Sequence, residues 1–155
     1  MRSKIVWSLA AVFLCLTVWA QDDAKDLPDG PGKDITAKAC IDCHGAANFR
    51  KLRLTEDEWW DKVGDMVTRG AKASDKEQAD VVAYLVRFFG KDSKVLMNTA
   101  PQSELIVVLH FTPAESQALA SYRADYGPFK EWRDLQKVPG LDPKKLEAQK
   151  DKMAF

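Results

Sequence analysis

The stretch Cys40-Ile41-Asp42-Cys43-His44 reads C-x-x-C-H. Two thiols three residues apart on one helical turn can each form a thioether to a haem vinyl group. The histidine directly after the second thiol then lies under the iron and supplies an imidazole nitrogen. The spacing predicts one covalent haem c, attached at Cys40 and Cys43, with His44 as a metal ligand. A zinc site would want two more Cys or His ligands at similar spacing. The chain has three cysteines and two histidines, and the remaining ones, Cys15 and His110, stand far from the motif. A thioredoxin-like redox pair remains as an alternative, but it expects a βαβ context that the sequence does not offer.

The N-terminus is consistent with that chemistry. Arg2 and Lys4 precede an apolar run from Ile5 to Trp19, and Val18-Trp19-Ala20 places small residues at the usual cleavage positions. Residues 1–20 are expected to be a secretory signal, cleaved before Gln21. The run is too short for a comfortable membrane span. An uncleaved N-terminal anchor is the alternative. The expected location is periplasmic or secreted, where haem is attached covalently to c-type proteins. Both remaining cysteines would then be used by haem, leaving no disulfide framework. Basic and acidic side chains balance at 23 each. Loss of the signal and gain of two haem propionates makes the mature form mildly acidic. That argues against a strong general attraction to nucleic acid or anionic lipid.

Every well-marked element is helical, so the expected fold is all-α. Residues 21–32, QDDAKDLPDGPG, are acidic, rich in Pro and Gly, and read as a flexible linker. A short helix should run from about Asp34 into the Cys40 turn. Thr55 with Glu58 and Ser74 with Glu77 form capping boxes. Trp59, Val63, Met66 and Val67 follow the first box at helical spacing. Val81, Val82, Leu85, Val86 and Phe89 follow the second, and Gly90 can end that helix. Thr112 with Glu115 forms a third box, with Pro113 at the first helical position. Asp142 caps a last helix that carries Leu146 and Met153 inward. The expected division is 33–94 and 95–155, two halves of roughly 60 residues, near the lower limit for independent stability. The second half must draw its core from Leu105, Leu109, Leu119, Tyr122, Phe129, Trp132, Leu135 and Leu146.

Around Met66 the chain reads MVTRGAKASDKEQADVVAYL. With C-x-x-C-H, the residues Met66, Gly70, Ser74, Asp75, Val82, Tyr84 and Leu85 make 32–94 resemble small class I cytochromes c. In these an axial methionine precedes a glycine and a Ser-Asp-capped last helix ending in Tyr-Leu. The resemblance implies Met66 as second axial ligand, a closed six-coordinate iron, and electron transfer rather than catalysis at the metal. Val67 stands where a proline often follows that methionine. Met66 also reads as a core methionine in register with Trp59 and Val63. Met97 and His110 are substitutes that fall outside the haem half. Of Trp59 and Trp60, one is expected to pack on the porphyrin and the other nearer the surface. Arg50 and Arg53 are candidates to pair with a propionate. Tyr84 is expected to pack the last helix across the first.

Asn98-Thr99-Ala100, Glu104-Leu105, Ser121-Tyr122-Arg123, Tyr126-Gly127-Pro128-Phe129, Asp134-Leu135, Val138-Pro139-Gly140-Leu141 and Lys145-Leu146 make 98–155 resemble tandem helix-hairpin-helix domains of the competence DNA-receptor type. Such hairpins present backbone N–H groups of a Gly-x-Gly turn to phosphate. Here Asp142 replaces the second glycine of the later turn, and His110-Phe111-Thr112 has none. These readings imply a non-enzymatic one-electron carrier. It would serve a redox protein partner such as an extracytoplasmic dehydrogenase or oxidase, with the second half used for docking. The alternative is a DNA-binding helix-hairpin-helix protein carrying a redox haem.

Overall fold

The computed structural model describes residues 24–41 and 43–155. The expected signal segment and its cleavage point lie outside the described residues, as does Asp42 within the haem motif. The described chain is mostly helical. Helix α1 (Lys33–Thr36) runs into a π-helical turn, Ala37–Ile41, which carries Cys40. Helices α2 (Ala47–Arg50), α3 (Glu56–Thr68) and α4 (Asp75–Phe89) complete the first half. The second half holds α5 (Gln102–Leu109), α6 (Pro113–Tyr126), α7 (Trp132–Leu135) and α8 (Pro143–Gln149).

The local signals set these boundaries. All three capping boxes form, with Thr55, Ser74 and Thr112 each accepting from the backbone N–H three residues on. Each box satisfies two amides that have no partner within the helix. Gly90 ends α4 and Gly127 ends α6, while Asp142 caps α8 ahead of Pro143.

The apolar faces collect into two separate cores. In the first, Trp59, Val63, Val81, Val82, Leu85 and Phe89 are buried where α3 meets α4. Helix α1 crosses α4 at Gly32, which has φ +90 and approaches so closely that a Cβ there would lie 2.7 Å from the Asp80 carbonyl oxygen. Tyr84 acts as expected at this crossing: its hydroxyl donates to the Pro28 carbonyl at 2.7 Å.

The segment read as a flexible linker is packed over its described part, 24–32. Leu27 is only 2% exposed, and the Asp26 and Pro28 carbonyls accept side-chain hydrogen bonds from Arg50 and Tyr84. One apolar residue in a polar stretch has no period to reveal it, yet its burial is enough to fix the segment.

The second core contains Leu105, Leu109, Leu119, Phe129, Leu135 and Leu146, all buried as expected, with Tyr122 and Trp132 packed at its margin. Two features depart from the sequence reading. Val95–Leu96 (β1) pairs in parallel with Met153–Ala154 (β2), so Met153 enters the core from a strand and not from the last helix. His110 holds the left-handed conformation, φ 55, at the first hairpin turn, a place that normally favours glycine. Asn98 and Arg123, two of the residues behind the family resemblance, brace the fold. Asn98 exchanges two hydrogen bonds with the Phe129 backbone, at 2.8 and 2.7 Å. Arg123 donates to the Met97 and Ala100 carbonyls.

Candidate cofactor cavity

A cavity of about 490 Å³ opens in the first half. Its volume lies within the roughly 300–1,000 Å³ common for small-molecule sites. Cys40, Cys43 and His44 line it from the π turn and the loop that follows, and Met66 lines it from the last turn of α3. All four residues expected to hold a cofactor therefore share one cavity. The rest of the wall is mainly apolar, including Phe49, Trp59, Val63, Val81 and Leu85. Trp59 is held by its indole N–H, which donates to the Phe89 carbonyl at 3.3 Å, while Trp60 is 40% exposed. Met66 and Val67 are only half-buried because they face the cavity instead of core atoms.

The donor set suits a metalloporphyrin. Cys40 and Cys43 are free thiols, with Cys40 partly buried and Cys43 exposed. Burial, with a lesser contribution from Cys43, pushes the Cys40 thiol up to about 11. A thiol so placed lacks the thiolate character that a thioredoxin-like pair requires. The Nδ1 atom of His44 is buried and meets no hydrogen-bond partner, while the Phe49 ring packs edge-on to the imidazole with centroids 6.5 Å apart. Among the described residues, no three or more His, Cys, Asp or Glu side chains gather as a protein-only metal site would need. The residues present thus fit a cofactor that brings its own equatorial ligands and takes one or two axial donors from the protein.

The structure moves several other residues away from the cavity. Met97 is fully buried in the second core and His110 is exposed at the hairpin turn, so neither substitutes for Met66. Arg50 and Arg53, read as propionate partners, both turn to Glu104 in the second half. Arg50 Nε donates to one Glu104 oxygen at 3.0 Å and Arg53 Nη2 to the other at 2.7 Å. Arg50 and Glu104 are each 1% exposed. Two guanidinium groups around one buried carboxylate satisfy each other better than either would a group at an open cavity mouth. The cationic side chains that do line the cavity are Lys62 and Arg69. Sequence reasoning missed these, and a signal existed: they stand seven apart, so they share one face along α3 and its C-terminus.

At the hairpin turns, side chains already accept hydrogen bonds from backbone amides. The Thr112 amide donates to Glu115 at 2.7 Å and the Glu115 amide to Thr112. The Lys144 amide donates to the Asp142 carboxylate at 2.9 Å. Lys145 of α8 pairs with Glu115 of α6 at 2.6 Å, joining the two hairpins. Burial opposes ionisation of Glu115, but Lys145 and the Thr112 donors overcome it and bring the carboxyl down to about 2 from its ordinary 4.5. A depressed carboxyl stabilises the fold at pH values above its unfolded pKa and loses that effect as pH falls through the folded one. Denaturation midpoints should therefore decline between about pH 4.5 and pH 2. Lys145→Met should flatten that decline; an unchanged pH profile would remove Glu115 from the acid response.

Residues 90–153 match the helix-hairpin-helix motif family. No solved structure matches this chain. Among the described residues, no helix is long and apolar enough to cross a membrane.

Proposed function

We propose that this protein is an extracytoplasmic one-electron carrier with a single covalent haem c. The reading rests on one observation: the cavity gathers Cys40, Cys43 and His44 with Met66 behind a largely apolar lining. The thiols of Cys40 and Cys43 would tether the cofactor. The His44 imidazole and the Met66 thioether would both hold its iron, which would leave no open position for a substrate. Haem held in this way supplies a one-electron iron couple, and His/Met ligation sets its potential higher than a bis-histidine pair would. Phe49, Trp59, Val63, Val81 and Leu85 keep water away, so little around the metal has to reorganise on electron transfer. A signal segment at 1–20 would deliver the chain to the periplasm or exterior. The redox partner would be an extracytoplasmic dehydrogenase or oxidase, with the second half contributing to docking.

The helix-hairpin-helix match favours a second reading, a DNA-binding module carrying a redox haem. The self-capped turns and Asp142 in place of the second glycine count against it. DNA affinity of that kind would fall steeply with salt.

The ligand assignment is tested by Met66→Ala. The oxidised parent should show the methionine–iron charge-transfer band. The variant should lose that band and its reduction potential should drop, while the haem stays attached. Persistence of the band in the variant would remove Met66 from the account.

A further inference from the structure

A second recess, about 560 Å³, opens where the two halves meet. Its floor is apolar: Leu52 from the first half, Val107 and Val108 from α5. Val107 is 52% exposed, unusual for a large aliphatic side chain at the end of a well-packed helix. Lysines from three separate parts of the chain converge on this floor. Lys51 follows α2, Lys91 follows α4, and Lys152 precedes β2. None of the three forms a salt bridge among the described residues, although Lys91 lies near enough to Glu58 to help lower its pKa. Asp92 and Asp151 also line the recess, so the lysines outnumber the carboxylates, and His110 adds a further donor.

Arg53 also lines the recess but is engaged within the protein. Its terminal nitrogens are committed to the Arg50 and Leu52 carbonyls and to Glu104. Its Nε lies buried with no acceptor, on a side chain that lines the recess. That nitrogen has no accessible surface, so the accessible cationic groups of the recess are the three lysines.

From this geometry we infer that the recess docks an acidic segment of a partner protein, one in which carboxylates alternate with apolar side chains. The carboxylates meet Lys51, Lys91 and Lys152, and the apolar groups cover Val107 and Leu52. Charge complementarity and the apolar floor select this occupant. A nucleic acid duplex would use the charge but leave the floor bare, and the recess is too small to admit one. The site exists only while the two halves are held together, because each contributes one wall. It gives the redox partner proposed above a place to bind, and in that respect rests on the carrier reading.

The test uses the full-length, haem-loaded protein and a short fluorescent peptide alternating glutamate with leucine. Binding is followed by anisotropy at low salt, with the lysine–leucine peptide and a short DNA duplex as controls. The acidic peptide should bind and the basic peptide should not. Reversing charge in Lys51→Glu/Lys152→Glu should weaken binding about tenfold or more. Lys91→Glu, a change on a separate segment, should weaken it as well, with circular dichroism establishing that each variant is folded. Absence of binding to the acidic peptide, equal binding by the charge-reversed variants, or loss of duplex binding alone in those variants would each overturn the inference. A colourless protein that still binds the peptide removes the carrier and leaves the recess standing. A pigmented protein that does not bind removes only the recess.

Discussion

Glu104→Ala should lower the unfolding free energy by about 3–5 kcal/mol, the range found when one partner of a buried ion pair is deleted. The structure explains the size of this effect. Glu104 accepts from Arg50 at 3.0 Å and from Arg53 at 2.7 Å, and its side chain is 1% exposed. Arg50 has further commitments to the Asp26 carbonyl and to Thr99 Oγ1, so it has no easy route to solvent once its carboxylate is gone. Chemical denaturation of the parent and variant measures the change. Arg50→Met/Arg53→Met/Glu104→Leu should recover a large part of it, because an apolar set of similar volume carries no stranded charge. A loss below about 1 kcal/mol for the single variant would mean that the network behaves like a surface pair. The same network holds the two halves together, so Glu104→Ala should also increase proteolysis between Gly90 and Val95, where the two cores divide.

Gly32→Val should be nearly as damaging, at about 3 kcal/mol or more, and by a different mechanism. The backbone there has φ +90, which a β-branched residue adopts only under strain. A Cβ would also stand 2.7 Å from the Asp80 carbonyl oxygen and 2.9 Å from Tyr84 Cβ, both on the rigid helix α4. The only relief is to lift α1 from α4. Because α1 leads directly into the π turn that carries Cys40, displacement there should reduce the yield of haem-loaded protein as well as its thermal stability. Thermal melts and the ratio of haem absorbance to protein absorbance report the two effects separately. A variant with the parent's melting temperature would show that the crossing is looser than its geometry indicates.

What the sequence made legible, it made legible locally. Thr55, Ser74 and Thr112 declared three helix starts because a capping box spans only four residues. Cys40, Cys43 and His44 pointed to the proposed cofactor because thioether attachment would fix their spacing. Met66 was reachable through its surroundings, since Gly70 and the Ser74 cap follow it in order. The pairing of Glu104 was not reachable. Glu104 meets Arg50 across 54 positions and Arg53 across 51, and no local pattern links a glutamate in one half to arginines in the other. Arg50 and Arg53 read as candidates for a propionate or for the solvated surface, whereas the fold turns both to Glu104. Leu27 and the Val95–Met153 pair were hidden for a related reason. A lone apolar residue and two-residue strands are too short to show any period.

The central claim is that a porphyrin is joined to this polypeptide through Cys40 and Cys43. Material produced with a full extracytoplasmic maturation system, unfolded in detergent and extracted with acidified acetone, tests it most directly. The account predicts that the pigment stays with the chain on a denaturing gel, and that Cys40→Ala/Cys43→Ala releases it. Pigment that leaves the parent chain in the solvent, or parent protein that never acquires colour, would contradict it.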